Sequence, residues 1–404
     1  MRVRTGFSFH YSVGHLEEVA DRIQALGWKY APISDRRSTF GFTRWNQVCA
    51  DRDLTPVFGV ELSAKKALSA PGVDYWTFFA TDSLRPLHDL VDWETRRKFL
   101  TYDRALKQEG VIRIIGGYTN IHDLPEEITE DTYLALGPST PTGQLRDAVD
   151  RGIPLVAASD NRYPSPDDFQ FYELALGRRA ETSIFPQHLL TPKEWFHSLP
   201  STVTKEMARE AYDRSLSLME RCSGVSLTRG ALPHIDEELT LRQKCWLGAH
   251  DRGIAWNDDL IGPDMRPEYE QRLNHELEVI GEKGFEDYFH ILADLVGWAR
   301  SRMQVGPARG SAAGSLVCYL LGITTIDPIK HDLLFERFVD VNRPDLPDID
   351  VDFPDTRRNE VFEYARERFG AERVARLGSI GTFGGKSAVN RIGQSLHILS
   401  LIHI

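Results

Sequence analysis

The chain has 404 residues, 41% hydrophobic and 10% aromatic, which suits two or more domains with ordinary cores and excludes a disordered or fibrous protein. Its 59 acidic residues outnumber 48 basic ones, and the net charge of −11 gives no general basic footprint for nucleic acid, although a local basic lining needs none. No window approaches the roughly 18 consecutive apolar residues of a membrane span, and residues 1–10 lack a signal-peptide layout, so a cytoplasmic location is expected. Cys49, Cys222, Cys245 and Cys318 are too dispersed for a zinc knuckle or a disulfide framework and read as buried thiols.

The first part of the chain alternates helical and β-type segments. Leu16, Val19, Ala20, Ile23 and Leu26 recur at helical spacing, Gly27 closes the helix, and residues 29–34 read as a strand. A helix over residues 41–53 and a buried strand over 55–61 repeat the pair. Further strands are expected at 73–80, 111–116, 133–136 and 153–159. Such βα repetition predicts parallel strands covered by helices, in an open sheet or a barrel. Near Leu190 the pattern turns helical, with Thr191 and Pro192 as an entry signal, and residues 229–238 read as a polar linker. Two helices are expected across residues 267–303. Leu273, Leu277 and Ile280 stripe the first, Gly281 and Gly284 interrupt, and Tyr288, Phe289, Leu292, Leu295 and Val296 line the second.

Residues 346–353 read LPDIDVDF. On a strand, Asp348, Asp350 and Asp352 share one face and Ile349, Val351 and Phe353 the other. Carboxylates about 6.6 Å apart along that face repel unless cations or water intervene. Two divalent ions roughly 3.5–4 Å apart and sharing one aspartate would relieve this, and magnesium favours such oxygen ligands. Taken alone, the segment reads more readily as an edge strand with a solvated acidic face.

Upstream, residues 305–315 read VGPARGSAAGS and continue into an apolar helix at 316–321. Small residues ahead of a helix let N–H groups approach a phosphate, the helix N-terminus adds favourable electrostatics, and Arg309 offers a fork of donors. By itself this is ordinary turn chemistry. Joined to the acidic segment it makes a phosphate cradle facing a metal site, the minimum equipment of a nucleotidyltransferase.

These segments resemble the palm of the C-family replicative DNA polymerases, the bacterial DNA polymerase III alpha subunits. GPARGSAAGS at 306–315, DLLFERF at 332–338 and PDIDVDF at 347–353 occur in the family's order, after an approach containing Arg272-Leu273, Gly284-Phe285, Tyr288-Phe289 and Trp298-Ala299. The resemblance implies a partial polymerase beta-like nucleotidyltransferase palm over residues 266–398. Asp350 and Asp352 would be its catalytic, Mg2+-binding aspartates, supported by Asp348, with Arg309, Gly310 and Ser311 near the incoming triphosphate. Gly381-Thr382-Phe383 followed by Lys386 is similar to a further family segment, where basic side chains approach the nucleotide. Ala308 replaces a usual glycine, tightening the turn, and Asn390-Arg391 replaces Arg-Asp, which leaves a role for Arg391 unsupported.

Residues 1–200 resemble the polymerase and histidinol phosphatase (PHP) domain that precedes the palm in this family, a distorted (β/α) barrel. Tyr11-Ser12, Ser34-Asp35, Gly59-Val60-Glu61 and Ser159-Asp160 to Tyr163 carry the likeness. Active members hold a metal cluster there through histidines, whose positions here are Gly6, Ser8, Arg36 and Arg162. Asp35, Glu61 and Asp160 remain, but carboxylates alone lack the imidazoles on which transition-metal affinity depends. The PHP metal cluster is therefore expected to be lost, with Arg36 and Arg162 pairing with Asp35, Glu61 or Asp160. The expected fold class is α/β, the barrel being followed by a helical connector over residues 201–265 and then the palm.

The resemblance implies primer-template DNA and deoxynucleoside triphosphates as substrates, sliding clamp and proofreading exonuclease subunits as partners, and no membrane. The family's third catalytic carboxylate, on a later palm strand, is not found, so this chain is expected not to polymerise DNA. After Gly393 the resemblance fades. Residues 399–404, LSLIHI, are what CTG TCT CTT ATA CAC ATC encodes, the end of a transposase-based sequencing adapter, and are expected to be a non-native tail. Two other readings stay open. One is a phosphoesterase acting through the barrel, against which the four replaced histidine positions count; the other is a non-catalytic scaffold that binds partners there.

Overall fold

Seven strands, β1 (Tyr30–Arg36), β2 (Thr55–Lys65), β3 (Asp74–Ala80), β4 (Leu100–Thr101), β5 (Val111–Ile115), β6 (Thr132–Leu136) and β7 (Leu155–Ala157), form one sheet in a computed structural model of the chain. The structure describes residues 1–67, 73–117, 119–176, 183–227, 234–255, 265–339, 347–379, 381 and 384–395. Two units are distinguished, Met1–Thr228 with Gly381–Ile404, and Arg229–Ile380.

In the first unit the sheet order is β1-β2-β3-β5-β6-β7, with β4 beside β2. The near-continuous burial of β2 marks a strand covered on both faces. β1–β2, β5–β6 and β6–β7 pair in parallel, but β3 is antiparallel to both β2 and β5, so the expected all-parallel arrangement does not hold. The connection from Lys65 to Asp74 is too short for a parallel crossover, which takes about a dozen residues or more. β1 and β7 are bridged by the first residues of the chain. The Met1 amine donates to the Ala157 carbonyl at 3.0 Å and the Ser34 N–H donates to the Val3 carbonyl at 2.7 Å, closing the curled sheet into an irregular barrel.

Helices α1 (Leu16–Ala25), α2 (Phe42–Ala50), α3 (Arg85–Arg97), α4 (Tyr102–Leu106), α5 (Thr142–Asp150), α6 (Phe169–Leu176), α7 (Pro192–Ser198) and α8 (Lys205–Arg221) complete the unit up to the connector. α1 buries Leu16, Val19, Ala20 and Ile23, the stripe its spacing predicts. α7 starts at a capping box between Thr191 and Glu194, as the entry signal suggests. The boundary expected near residue 200 falls inside this unit, because Leu218, Met219 and Cys222 on and after α8 pack with Val57, Ile112 and Val156 of the sheet.

The second unit is helical, with α9 (Leu241–Asp251), α10 (Pro267–Glu282), α11 (Glu286–Arg300), α12 (Leu316–Leu320) and α13 (Arg358–Phe369) around Leu273, Ile280, Phe289, Leu316, Val317 and Phe335. Gly284, at φ +66°, makes the break between α10 and α11 in the left-handed region open to glycine. A last helix, α14 (Gly385–Ser395), packs on α6 of the first unit. The strand expected at 346–353 is not formed. Residues 347–353 carry no ladder, and the Asp352 carbonyl accepts one backbone bond, from the Gly306 N–H at 3.0 Å. A strand requires a neighbouring strand to take up its N–H and C=O groups, and no strand is formed among the described residues of this unit.

Of the expected features, Leu346, residues 229–233, Thr382, Phe383 and residues 399–404 lie outside the described residues. All four cysteines are free and buried. No described helix is long and apolar enough to cross a membrane.

Gly248 of α9 lies against α12, where an added Cβ would stand 1.9 Å from the Leu320 carbonyl oxygen. Gly248→Ala should force these helices apart and cost about 1–3 kcal/mol, the usual range for overpacking. Denaturant titration of the two proteins checks the figure.

Candidate functional site

The turn before α12 is shaped by its glycines. Gly310 sits at φ +65°, and a Cβ there would meet the Asp350 carboxylate at 3.1 Å. One at Gly306 would meet the Asp352 Cβ at 3.0 Å. The missing side chains let residues 350–352 lie against the turn. Arg300 fixes its start, donating to the Gly306 and Gly322 carbonyls at 3.2 and 3.0 Å, and the Thr325 N–H donates to the Pro307 carbonyl at 2.7 Å.

On this surface Arg309 Nη1 donates to Asp352 Oδ1 at 2.8 Å, and its Nε lies 4.0 Å from Asp350 Oδ2. All three side chains are half exposed or more, at 62%, 50% and 54% for Arg309, Asp350 and Asp352, so the group is open to a solute. Ser311 is exposed beside Gly310, and Asp348 is exposed before the pair. Lys386 is carried on α14, in the first unit.

The α12 N-terminus, expected to face phosphate, is already occupied. Glu276 of α10, with no exposed surface, accepts from the Leu316 N–H at 2.9 Å, the Val317 N–H at 3.0 Å, the Ser315 hydroxyl at 2.9 Å and Arg272 Nε at 2.7 Å. Arg272 also donates to the Gly314 and Leu333 carbonyls at 2.8 and 3.0 Å, tying the turn to the DLLFERF segment. Burial pushes the Glu276 carboxyl up, against the pull of the two N–H groups and Arg272. Sequence reasoning missed Glu276, whose signal was its place in the apolar stripe between Leu273 and Ile280.

The barrel residues meet in a second cluster. Arg4 donates to Glu61 and Asp160, and Arg36 Nε donates to Glu61. Arg162 stands 3.5 Å from Asp160. Asp35, expected to pair with a guanidinium, instead accepts from the Thr5 N–H and hydroxyl at 2.7 Å each and the Ser8 hydroxyl at 2.6 Å. Short hydroxyls reach it first, and burial pushes its carboxyl up. Burial also raises Glu61 and Asp160, but Arg4, with Arg36 for the first and Arg2 and Arg162 for the second, outweighs it and holds both below their ordinary values. Arg4, which sequence reasoning passed over, holds the position between the carboxylates. These residues do not suit a metal cluster, because the carboxylates already carry guanidinium partners and the imidazoles are absent.

A Gly-rich turn whose arginine meets two aspartates marks the second unit as nucleotidyltransferase-type. Residues 239–402 match the family described as bacterial DNA polymerase III alpha NTPase domain. The chain is 30% identical to the DNA polymerase III subunit alpha of Bacillus subtilis, over 98% of this chain and 38% of that protein. With the Halalkalibacterium halodurans subunit the identity is 29% over the same shares, and with that of Neisseria meningitidis serogroup B it is 34% over 64% of this chain and 24% of that one. The chain belongs to the DNA polymerase III alpha subunit family, and it spans about 38% of the length of the Bacillus subtilis and Halalkalibacterium halodurans proteins. Among solved structures, a putative metal-dependent phosphoesterase from Bifidobacterium adolescentis aligns with 56% of this chain and 96% of its own at 11% identity and a TM-score of 0.29.

Glu276→Ala should destabilise the second unit by about 3–5 kcal/mol, because it leaves a buried arginine-carboxylate network and a helix start without their acceptor. A guanidinium titration compared with the unsubstituted chain measures it. The barrel cluster predicts acid sensitivity. Glu61 and Asp160 titrate below their ordinary 4.5 and 3.8 when folded, so the stability they contribute is complete above those values and lost as pH falls beneath them. Asp35, shifted the other way, offsets part of this. Melting temperature should therefore fall progressively as pH is lowered below 4.5. Arg4→Met should cost about 3–5 kcal/mol at neutral pH and flatten that slope, as followed by circular dichroism.

Proposed function

We propose that the second unit supplies the nucleotide-facing part of the palm of a template-directed DNA polymerase, which joins deoxynucleoside monophosphates to a primer 3′ end. The observation carrying this reading is the convergence of Arg309, Asp350 and Asp352 on the turn between Gly306 and Gly310. Two half-exposed carboxylates are hard oxygen donors of the kind magnesium takes together with phosphate and water, so Asp350 and Asp352 fit that ion. Bound there, Mg2+ would offset the triphosphate charge and favour attack of the primer hydroxyl on the α-phosphorus.

The chain's own residues orient the nucleotide. Arg309, paired with the aspartates in the absence of nucleotide, turns its fork to phosphate oxygens when a triphosphate enters, and leaves the carboxylates free to bind metal. Gly310 lets a phosphate pass close to the backbone beside Ser311. Glu276, Arg272 and Arg300 act at one remove by holding the turn. Mg2+-dependent nucleotide binding is expected of Asp350, Asp352 and Arg309. Primer-template DNA, a sliding clamp and a proofreading exonuclease are the proposed partners, in the cytoplasm.

Calorimetric titration of the chain with a deoxynucleoside triphosphate, with and without Mg2+, tests the reading. Binding should require Mg2+ and fall about tenfold or more in Asp350→Asn, Asp352→Asn and Arg309→Gln, as expected for loss of a charged contact. Equal Mg2+-dependent binding in all three variants would show that the nucleotide is held elsewhere.

A further inference from the structure

At the end of the barrel where β5, β6 and β7 finish, a cavity of about 390 Å3 opens beside Gly116, Gly137 and Ser159. Four guanidiniums line it, those of Arg2, Arg4, Arg36 and Arg162, against the carboxylates of Asp74 and Asp160. Glu61 lies against Arg4 and Arg36, Asp35 is taken up by Thr5 and Ser8, and the Tyr102 hydroxyl donates to Asp74.

The arginines are not equally committed. Arg4 divides its terminal nitrogens between Asp160, the Asn161 carbonyl and Glu61. Arg36 gives only Nε, to Glu61, and its two terminal amino groups meet no acceptor among the described residues. Its side chain is 7% exposed, and the rings of Tyr11 and Tyr75 cover both of its faces at 3.8 and 3.7 Å. Further bonds can form only in the guanidinium plane. Arg2 is freer still, with Glu61 4.0 Å away and its buried Nε without an acceptor. Burial, with Arg4 and Arg36 nearby, pulls the Arg2 guanidinium below its ordinary value despite Asp160 and Glu61. Buried donors without acceptors are costly, and an anion that accepts several at once removes the cost.

We propose that this cavity is a metal-independent binding site for a phosphate-type oxyanion, held by Arg2 and the open edge of Arg36. The replacements that make the barrel unsuitable for a metal cluster thereby supply a fixed positive lining, and tetrahedral oxyanions match the guanidinium fork. The site lies in the first unit and does not rest on the polymerase reading.

Isothermal titration of the whole chain with inorganic phosphate, in chloride buffer containing EDTA, tests it. Saturable binding of one ion per chain is expected, equal with and without EDTA and unchanged in Arg309→Gln. Arg2→Gln should weaken it by about tenfold or more, the effect of losing a charge-assisted bond. Arg36→Gln should abolish it, with a melting curve to confirm folding, since this change also removes a Glu61 partner. Arg2→Gln breaks no close ion pair and keeps the test decisive if Arg36→Gln does not fold. No saturable binding, binding lost with EDTA, weakening in Arg309→Gln, or full affinity in Arg2→Gln would each overturn the proposal.

Discussion

Glu276 is the constraint on which the second unit depends. A carboxylate with no exposed surface is tolerable only where donors surround it. Its four donors come from α10, the Gly-rich segment and α12, and so a single side chain fixes how those segments meet. The same bonds use the N–H groups that a helix start would otherwise present to an anion. On the proposed function, phosphate recognition on this turn would therefore fall to Arg309 and to the backbone at Gly310, outside the helix end. Cys318, whose N–H is capped by Ser315 at 3.1 Å, completes the closure.

Much of the barrel was legible because its signals are local. Every strand except the two-residue β4 overlaps a segment expected to be a strand, and α1, α7 and the α10–α11 break follow from periodicity, a capping box and a glycine. The direction of β3 was not legible, since it depends on the length of a connection and not on the residues in the strand. Nor was the bridging of β1 and β7 by Met1 and Val3, which is a pairing between distant parts of the chain.

At the candidate site, the motifs pointed to the right residue types and missed what holds them. Asp350, Asp352 and Arg309 are read from spacing, and the structure brings them together without the expected strand, through glycines that permit close approach. Glu276 and Arg4 left only faint traces, an acidic residue within an apolar stripe and a basic residue near the chain start. Their importance comes from burial against partners far away in sequence, Glu276 with Leu316 and Arg4 with Asp160. Periodicity cannot report such contacts, because it describes one element at a time.

Both units pair arginine with carboxylates, and exposure decides what each pairing can do. Arg309 is 62% exposed, so water competes for both partners and the pair contributes little to stability; on the proposed function a nucleotide with its metal would displace it at small cost. Arg4 is 2% exposed and Glu61 1%, so removing Arg4 would leave a buried Glu61 oxygen without its partner. A metal ion entering the barrel would therefore have to replace a buried cation already hydrogen-bonded to both carboxylates, without imidazoles to compensate. The same chemical pair is thus exchangeable on the Gly-rich turn and locked in the barrel. Arg2 and the outer edge of Arg36, which the barrel carboxylates hold least, keep donors for the proposed ligand, and those donors suit an anion rather than a metal.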